Sequence, residues 1–337
     1  MWFGAAGSSS AVFQKWSEQL SAALPDSAES EDAGCVLVDY FARYPIKAVK
    51  LAGAGVSASA PPGALHGRYR VYFDNGNSVG LRSDGELQLW LDDAGRPHLR
   101  GRLGVNEYVA RVLEREGGSE QAEAAKALAI AARSYLQQNA ARAEGCQRIA
   151  DSSGAQRVGA SPAGAPARAI ARWTDQLVVA GVTVRYHTTT PGTNVLSWRD
   201  ALAQAGRGDY FDAILAKAYP QGELTTMNSS GVRCVRLAAA EAWLARQLPD
   251  WERLLRGEAG YERPNDMPAV CELGAGAPYS EQSRNRIFVR GLATREDRIT
   301  LAHEFLHLGL RNHPRGQDEA AVERLARRLT DLKLEKL

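Results

Sequence analysis

Residues 303–307 read His-Glu-Phe-Leu-His, and their surroundings leave this stretch one regular conformation. Thr294 followed by Asp297 has the pattern of a capping box, which opens a helix by satisfying two backbone N–H groups reciprocally. Ile299, Ala302, Leu306 and Leu310 then recur at helical spacing, and Asn312 and Pro314 end the run just beyond. On such a helix His303 and His307, four apart, share one face, so both imidazoles can bind a single Zn²⁺. Glu304 is then placed to act on a water at the metal. His-Glu-x-x-His also arises by chance, as two core or surface histidines. Clustering favours the metal: three of the six histidines in the chain lie between 303 and 313.

A catalytic zinc takes three protein ligands. His313, ten residues after His303, has the offset of the third metzincin ligand, although Gly309 stands one position early for the turn of that pattern. Asp318, in His-Pro-Arg-Gly-Gln-Asp-Glu, is an acid placed shortly after the motif helix, as in other zincins. Its alternative role is to cap a last helix running from Glu319 to about Lys333, with Val322, Leu325, Leu329 and Leu332 as its apolar stripe. His313 and Asp318 stand as equal candidates, with Glu319 behind them.

The chain has 337 residues, enough for two domains. With 41 basic and 39 acidic residues, spread rather than clustered, it gives no reason to expect nucleic acid. No apolar run approaches the roughly 20 residues of a membrane span. Residues 1–10 have neither a basic nor an apolar signal region and read as a linker, a tag remnant or a trimmed mature end. An absent signal peptide therefore does not argue for the cytosol. Cys35, Cys146, Cys234 and Cys271 form no Cys-x-x-Cys pair, which argues against a cysteine zinc site and permits two disulfides in an oxidising compartment. Cys234 with Cys271 is the preferred bridge; four buried thiols are the alternative.

The patterning predicts an α+β chain. After the linker, 11–66 is a helical and loop segment, with an amphipathic helix at 11–24, an apolar segment of open type at 35–44 and a loop at 52–64. Residues 67–104 are β-rich, with hairpin turns at Asp74-Asn-Gly-Asn and Asp92-Asp-Ala-Gly. Helices are expected over 105–116 and, rich in alanine, over 120–142. A loop is expected at 154–166, a hairpin at 177–188 turning at Gly181, and helices at 213–219 and 238–255. A loop-rich stretch then covers 257–279, and a short strand at 286–289 precedes the motif helix.

Four segments, in order, resemble the stage II sporulation protein D and amidase-enhancer LytB family. They are Tyr108-Val-Ala-Arg-Val-Leu-Glu-Arg-Glu116, Glu123-Ala-Ala-Lys-Ala-Leu-Ala-Ile-Ala-Ala-Arg-Ser-Tyr135, Asp151-Ser-Ser-Gly-Ala-Gln156 and Tyr186-His-Thr-Thr-Thr190. The resemblance covers about 67–220 and implies a domain acting on peptidoglycan, as a lytic transglycosylase. In that chemistry one carboxyl protonates the leaving glycosidic oxygen and then deprotonates the C6 hydroxyl of the sugar. Glu116 matches the family's catalytic position. The spacing from Glu116 to Glu123 is shorter than in the family, and a shifted register would put Glu114 there. Arg133, Ser153, Gln156, Tyr186 and His187 are the candidate glycan-binding residues. The structural alternative is an ion pair for Arg133, plain loop positions for Ser153 and Gln156, and strand packing for Tyr186 and His187. Gly154 and Ala155 replace a His-Cys pair that can hold a metal in the family.

The last third, 221–337, resembles by motif an uncharacterised family of secreted bacterial proteins encoded beside periplasmic α2-macroglobulins. That implies a periplasmic or secreted setting and a macroglobulin partner. Three expectations follow for function: a periplasmic peptidoglycan-binding protein of the lytic transglycosylase type with a zinc-hydrolase domain; a zinc metallopeptidase docked on cell-wall glycan; or a non-catalytic scaffold retaining both folds.

Overall fold

The computed structural model describes residues 34–52, 58–187, 192–227, 234–274 and 276–331. The expected helix at 11–24, residues 53–57 of the loop at 52–64, Thr188–Thr190 and Leu332 lie outside them. Among the described residues helices and strands mix, as the α+β patterning predicts. Contacts divide the chain into two interleaved units. One takes the chain up to Glu120, Leu128–Trp173 and Thr183–Thr188; the other takes Gln121–Ala127, Thr174–Val182 and everything from Thr189 on.

The first unit is built on a seven-stranded sheet ordered β2-β3-β4-β5-β1-β7-β6. Its strands are β1 (Cys35–Tyr40), β2 (Ile46–Leu51), β3 (Gly63–Phe73), β4 (Ser78–Leu91), β5 (Pro97–Gly104), β6 (Ala141–Ala143) and β7 (Cys146–Ala150). Both expected turns form. In the first, Gly76 adopts φ +82° and Asn75 Oδ1 accepts from Asn77 N. In the second, Asp92 Oδ1 accepts from the N–H groups of Ala94 and Arg96, and Gly95 takes φ +73°. These Asx-type bonds and left-handed glycines are what a tight reversal requires. The segment of open type is therefore a central strand: β1 runs antiparallel to β5 and parallel to β7. Cys35 and Cys146 bridge it across 111 residues of chain.

Helices α1 (Val105–Glu116), α2 (Ala122–Asn139) and α3 (Ala165–Trp173) follow. Alanines 124, 125, 127, 129, 131 and 132 of α2 are all fully buried, so this helix was selected for close approach on several faces. The expected loop at 154–166 holds up to the start of α3, a helix the patterning does not anticipate. Ala167, Ala169, Ala171 and Ile170 bury one face of it, a pattern that the glycines and prolines just before it obscured.

In the second unit β8 (Leu177–Ala180) begins where the hairpin was expected, and β9 (Arg185–His187) belongs to the first unit. The expected hairpin does not form, because β8 pairs antiparallel with β11 (Glu223–Thr226), which supplies a full register of partners from far along the chain. Strand β10 (Val195–Ser197) leads into α4 (Trp198–Ala205), capped by Ser197, and α5 (Phe211–Ala218) comes next. Helix α6 (Ala238–Leu255) has the expected bounds. The loop-rich stretch contains β12 (Ala269–Glu272), which pairs parallel with β14 (Arg286–Val289), while β13 (Tyr279–Glu281) flanks β14 on the other side. Cys234 and Cys271 form the preferred bridge.

Helix α7 (Arg295–Gly309) carries the motif, and its capping box is complete: Thr294 Oγ1 accepts from Asp297 N, and Asp297 Oδ2 accepts from Thr294 N. The expected stripe of Ile299, Ala302, Leu306 and Leu310 is buried, but so are Leu301, Phe305 and Leu308. The helix is thus buried almost all round, as the central member of a helical layer must be. Helix α8 (Glu319–Asp331) packs Val322, Leu325 and Leu329 against it, and Trp251 Nε1 of α6 donates to Leu329 O at 3.0 Å.

Candidate functional sites

Helix α1 delivers Glu116 to a cavity of about 560 Å³ in the first unit, whose walls include Tyr135, Ser153, Arg157, Arg185 and Tyr186. Ser153, Gly154, Ala155 and Arg157 form one wall, and residues 183–186 form another. Glu116 Oε1 accepts from Arg157 N at 2.8 Å, which fixes the carboxylate at the cavity edge. Glu114 instead accepts from Gly164 N at 2.6 Å and is not on this wall, so the geometry favours the register with Glu116.

The other candidates separate. Ser153 lines the cavity, and its Oγ accepts from Arg43 Nη1 at 2.8 Å. Tyr186 also lines it. Gln156 does not: fully buried, its Nε2 donates to Ala132 O at 3.1 Å and Tyr186 Oη at 2.6 Å, and its Oε1 accepts from Tyr108 Oη. Arg133 is likewise fully buried, donating to Asn106 Oδ1 and Ala171 O. Gln156 supports the wall from behind through Tyr186, and Arg133 is tied into the helix packing of the first unit. The resemblance makes both groove candidates, and it carries residue identity but not burial. His187 closes β9. Asp151 opens the third family-like segment. It is a half-buried carboxylate accepting from Phe41 N and Val158 N, and desolvation pushes its pKa up.

In the second unit, one ligand atom from each of His303, Glu304 and His307 lies within 4.8 Å of the others. Each ring is held from behind. His303 Nδ1 is 3.0 Å from Glu323 Oε2; His307 Nδ1 is 2.8 Å from Gly316 O and 3.3 Å from Tyr210 Oη. A carboxylate and a carbonyl only accept, so the proton belongs on each Nδ1, leaving Nε2 for a metal. Both Nε2 atoms face one atom, Glu319 Oε2, at 3.1 Å from His303 and 3.5 Å from His307. With bonds of about 2.1 Å, two ligands of a tetrahedral Zn²⁺ lie about 3.4 Å apart. The two observed distances bracket that edge, and two imidazoles with one carboxylate are a donor set that zinc takes. The residues present therefore fit the ion.

Of the three carboxylate and imidazole candidates after the motif, Glu319 is the one that lies beside both histidines, whereas His313 and Asp318 bond to local backbone. His313 Nδ1 accepts from Arg315 N and opens the short turn Pro314–Gln317, and Asp318 Oδ1 accepts from Ala321 N as the cap of α8. A cap must turn back to its own helix, which leaves the next residue, Glu319, to reach the histidines. Glu323, one turn on, reaches His303 from the same helix face. Glu319 is the lesser of the sequence candidates and Glu323 is not among them; its spacing of four from Glu319 on an amphipathic helix is the signal that could have found it.

The electrostatics of the cluster are strongly coupled. Burial alone would hold His303 neutral, but hydrogen bonds to Glu319 and Glu323 push its pKa up to about 10. Burial would likewise raise Glu319, yet His307 and His303 hold it well below the usual carboxylate range. Glu304 goes the other way: burial raises its pKa against the pull of both imidazoles. Such an arrangement of opposed shifts is typical of functional clusters.

Comparison with known proteins places these sites in two matched segments. Over 329 residues the chain is 44% identical to the uncharacterized protein YfaQ of Escherichia coli (strain K12); the match covers 98% of this chain and 59% of that protein. The chain thus spans less than two thirds of this curated relative. No solved structure matches. No described helix is long and apolar enough to cross a membrane. Residues 96–172, which contain Glu116, match the stage II sporulation protein family, and residues 194–315, which contain His303, Glu304 and His307, match a family described as predicted secreted protein (DUF2300).

Proposed function

We propose that this chain is a secreted, cell-wall-directed protein that binds peptidoglycan glycan through the Glu116 cavity and carries a zinc-hydrolase centre at His303, His307 and Glu319. The observation that carries the reading is the convergence of both Nε2 atoms on Glu319 Oε2. Zn²⁺ held there would supply Lewis acidity and make a water acidic near neutral pH. Glu323 and the Gly316 carbonyl orient the rings, and such partners hold ligand tautomers in other zinc sites. Glu304, beside the ligands and with a raised pKa, takes up the proton of the attacking water at its carboxylate. The cluster is reached from the edge where His303, Glu319 and Glu323 keep part of their surface.

The glycan half of the proposal rests on the sporulation-family match and on Glu116 lying in a cavity with Tyr186 and Ser153. Arg157 and Arg185 on its walls suit an anionic polymer. A lytic transglycosylase reaction would use Glu116 as both acid and base. A periplasmic setting agrees with two disulfides and with the secreted-family match. A periplasmic α2-macroglobulin partner belongs to the same reading, on the resemblance of the last third alone. The test is metal content after Zn²⁺ loading together with pull-down on purified sacculi. One Zn²⁺ per chain and retention on sacculi are expected; a wild type that binds no more metal than His303→Ala defeats the zinc half, and no retention defeats the glycan half.

A further inference from the structure

Residues 121–127, at the start of the alanine-rich helix, belong to the second unit although the rest of that helix belongs to the first. They carry Lys126, whose side chain is 3% exposed. Its Nζ is 2.7 Å from Glu123 Oε1 and 3.9 Å from Glu319 Oε1. Glu123 is itself tied down, because its other oxygen accepts from Phe211 N at 3.0 Å. The Phe211 ring lies 6.0 Å from the ammonium. Glu319 therefore has two different sides: Oε2 faces the imidazoles, and Oε1 faces Lys126.

We infer that Lys126 is a positioning residue of the histidine centre, holding Glu319 so that one carboxylate oxygen is presented to a metal ion. This rests on the zinc reading above. A glutamate without such a partner can rotate, or turn both oxygens to the metal. An ammonium beside Oε1 opposes both motions and leaves Oε2 as a single-atom ligand. A lysine buried this deeply is costly unless its charge is paired, and Glu123 and Glu319 supply the pairing. Its field also reaches Glu304. The centre would then draw on three parts of the chain: Lys126 and Glu123 from the segment matching the sporulation family, the histidines from the secreted-family match, and Glu319 from beyond both.

Charge counting and positioning predict opposite results. Removing a cation from beside a Zn²⁺ site relieves repulsion and should tighten binding; losing the orientation of a ligand should weaken it. The experiment uses the full chain and reads Zn²⁺ affinity by chelator competition, with the Co²⁺ absorption spectrum as a second readout. Wild type is read first, and one that binds no Zn²⁺ defeats the centre itself. If wild type binds, Lys126→Met is expected to lose about 10–100-fold in affinity, as other changes behind a ligand do. Its Co²⁺ spectrum should weaken towards that of a more highly coordinated ion. Ile287→Val, a core change away from the centre, should leave both unchanged. Unchanged or tighter binding in Lys126→Met with a wild-type spectrum overturns the inference while leaving the zinc centre standing. If Lys126→Met does not fold, Lys126→Gln is read by the same criteria: weaker binding with an altered spectrum supports the inference, and wild-type values overturn it.

Discussion

The two units place a carboxyl in opposite ways. In the first, Glu116 stands at the edge of an open cavity, held by one backbone N–H and surrounded by tyrosines and arginines. In the second, Glu304 is buried among histidines and further carboxylates, each of which is held by another residue. An open cavity suits a polymer that must slide in and be gripped at many points. A closed cluster suits one small ion whose ligands must be fixed to a fraction of an ångström. The cavity therefore tolerates changes in its walls, whereas the cluster should fail when any one of several residues is lost.

The largest test of this contrast is to neutralise each carboxyl. Glu304→Gln should keep Zn²⁺ and lose peptide hydrolysis, and Glu116→Gln should lose release of anhydro-muropeptides with metal content unchanged. Each loss should be about 10²–10⁴-fold, the usual contribution of a general acid or base. Products assayed chromatographically from both variants should dissociate; an activity lost in neither would put the chemistry on other residues.

The ligand set comes next. His303→Ala, His307→Ala and Glu319→Ala should each cost more than the roughly 100-fold upper range of changes behind a ligand. His313→Ala and Asp318→Ala should stay within a few-fold of wild type by chelator competition. If His313→Ala weakens binding more than Glu319→Ala, the assignment of the third ligand is wrong.

Stability distinguishes the units by loop length. The Cys35–Cys146 bridge spans 111 residues and the Cys234–Cys271 bridge 37. Chain entropy alone then gives the first about 5 kcal/mol and the second about 4 kcal/mol. Urea titrations of Cys35→Ala/Cys146→Ala and Cys234→Ala/Cys271→Ala proteins should show the first pair losing more.

The smallest effect is a pH slope from the second unit. Burial pushes the Asp212 carboxyl up to about 7, with Glu281 and Glu123 adding to the rise against a hydrogen bond from Ser283 N. Between about pH 4 and pH 7 the folded chain then keeps a proton that the unfolded chain has lost. This contribution to stability is present at low pH and declines as pH rises through the window, by at most about 1.4 kcal/mol per pH unit. Asp212→Asn should flatten that part of the curve in denaturant titrations; an unchanged slope would place the titration elsewhere.

How much could be read in advance follows the range of each interaction. The capping box of α7, the turns at Gly76 and Gly95 and the pairing of His303 with His307 depend on residues within a few positions of one another. Local backbone geometry decides such features, and they stand in the structure as the patterning has them. The β8–β11 pairing, the buried roles of Arg133 and Gln156, and the place of Glu319 beside the histidines depend on distant segments. Two helices a dozen residues apart can pack in many ways, and only the packed core of Trp251, Phe305 and Leu329 selects the one that turns Glu319 and Glu323 inward. The chain alone thus determined a capped helix with two histidines on one face and a glutamate between them. Tertiary packing decided which carboxylate stands beside those histidines, and which lysine stands behind it, because such a cluster is closed by distance in space and not along the sequence.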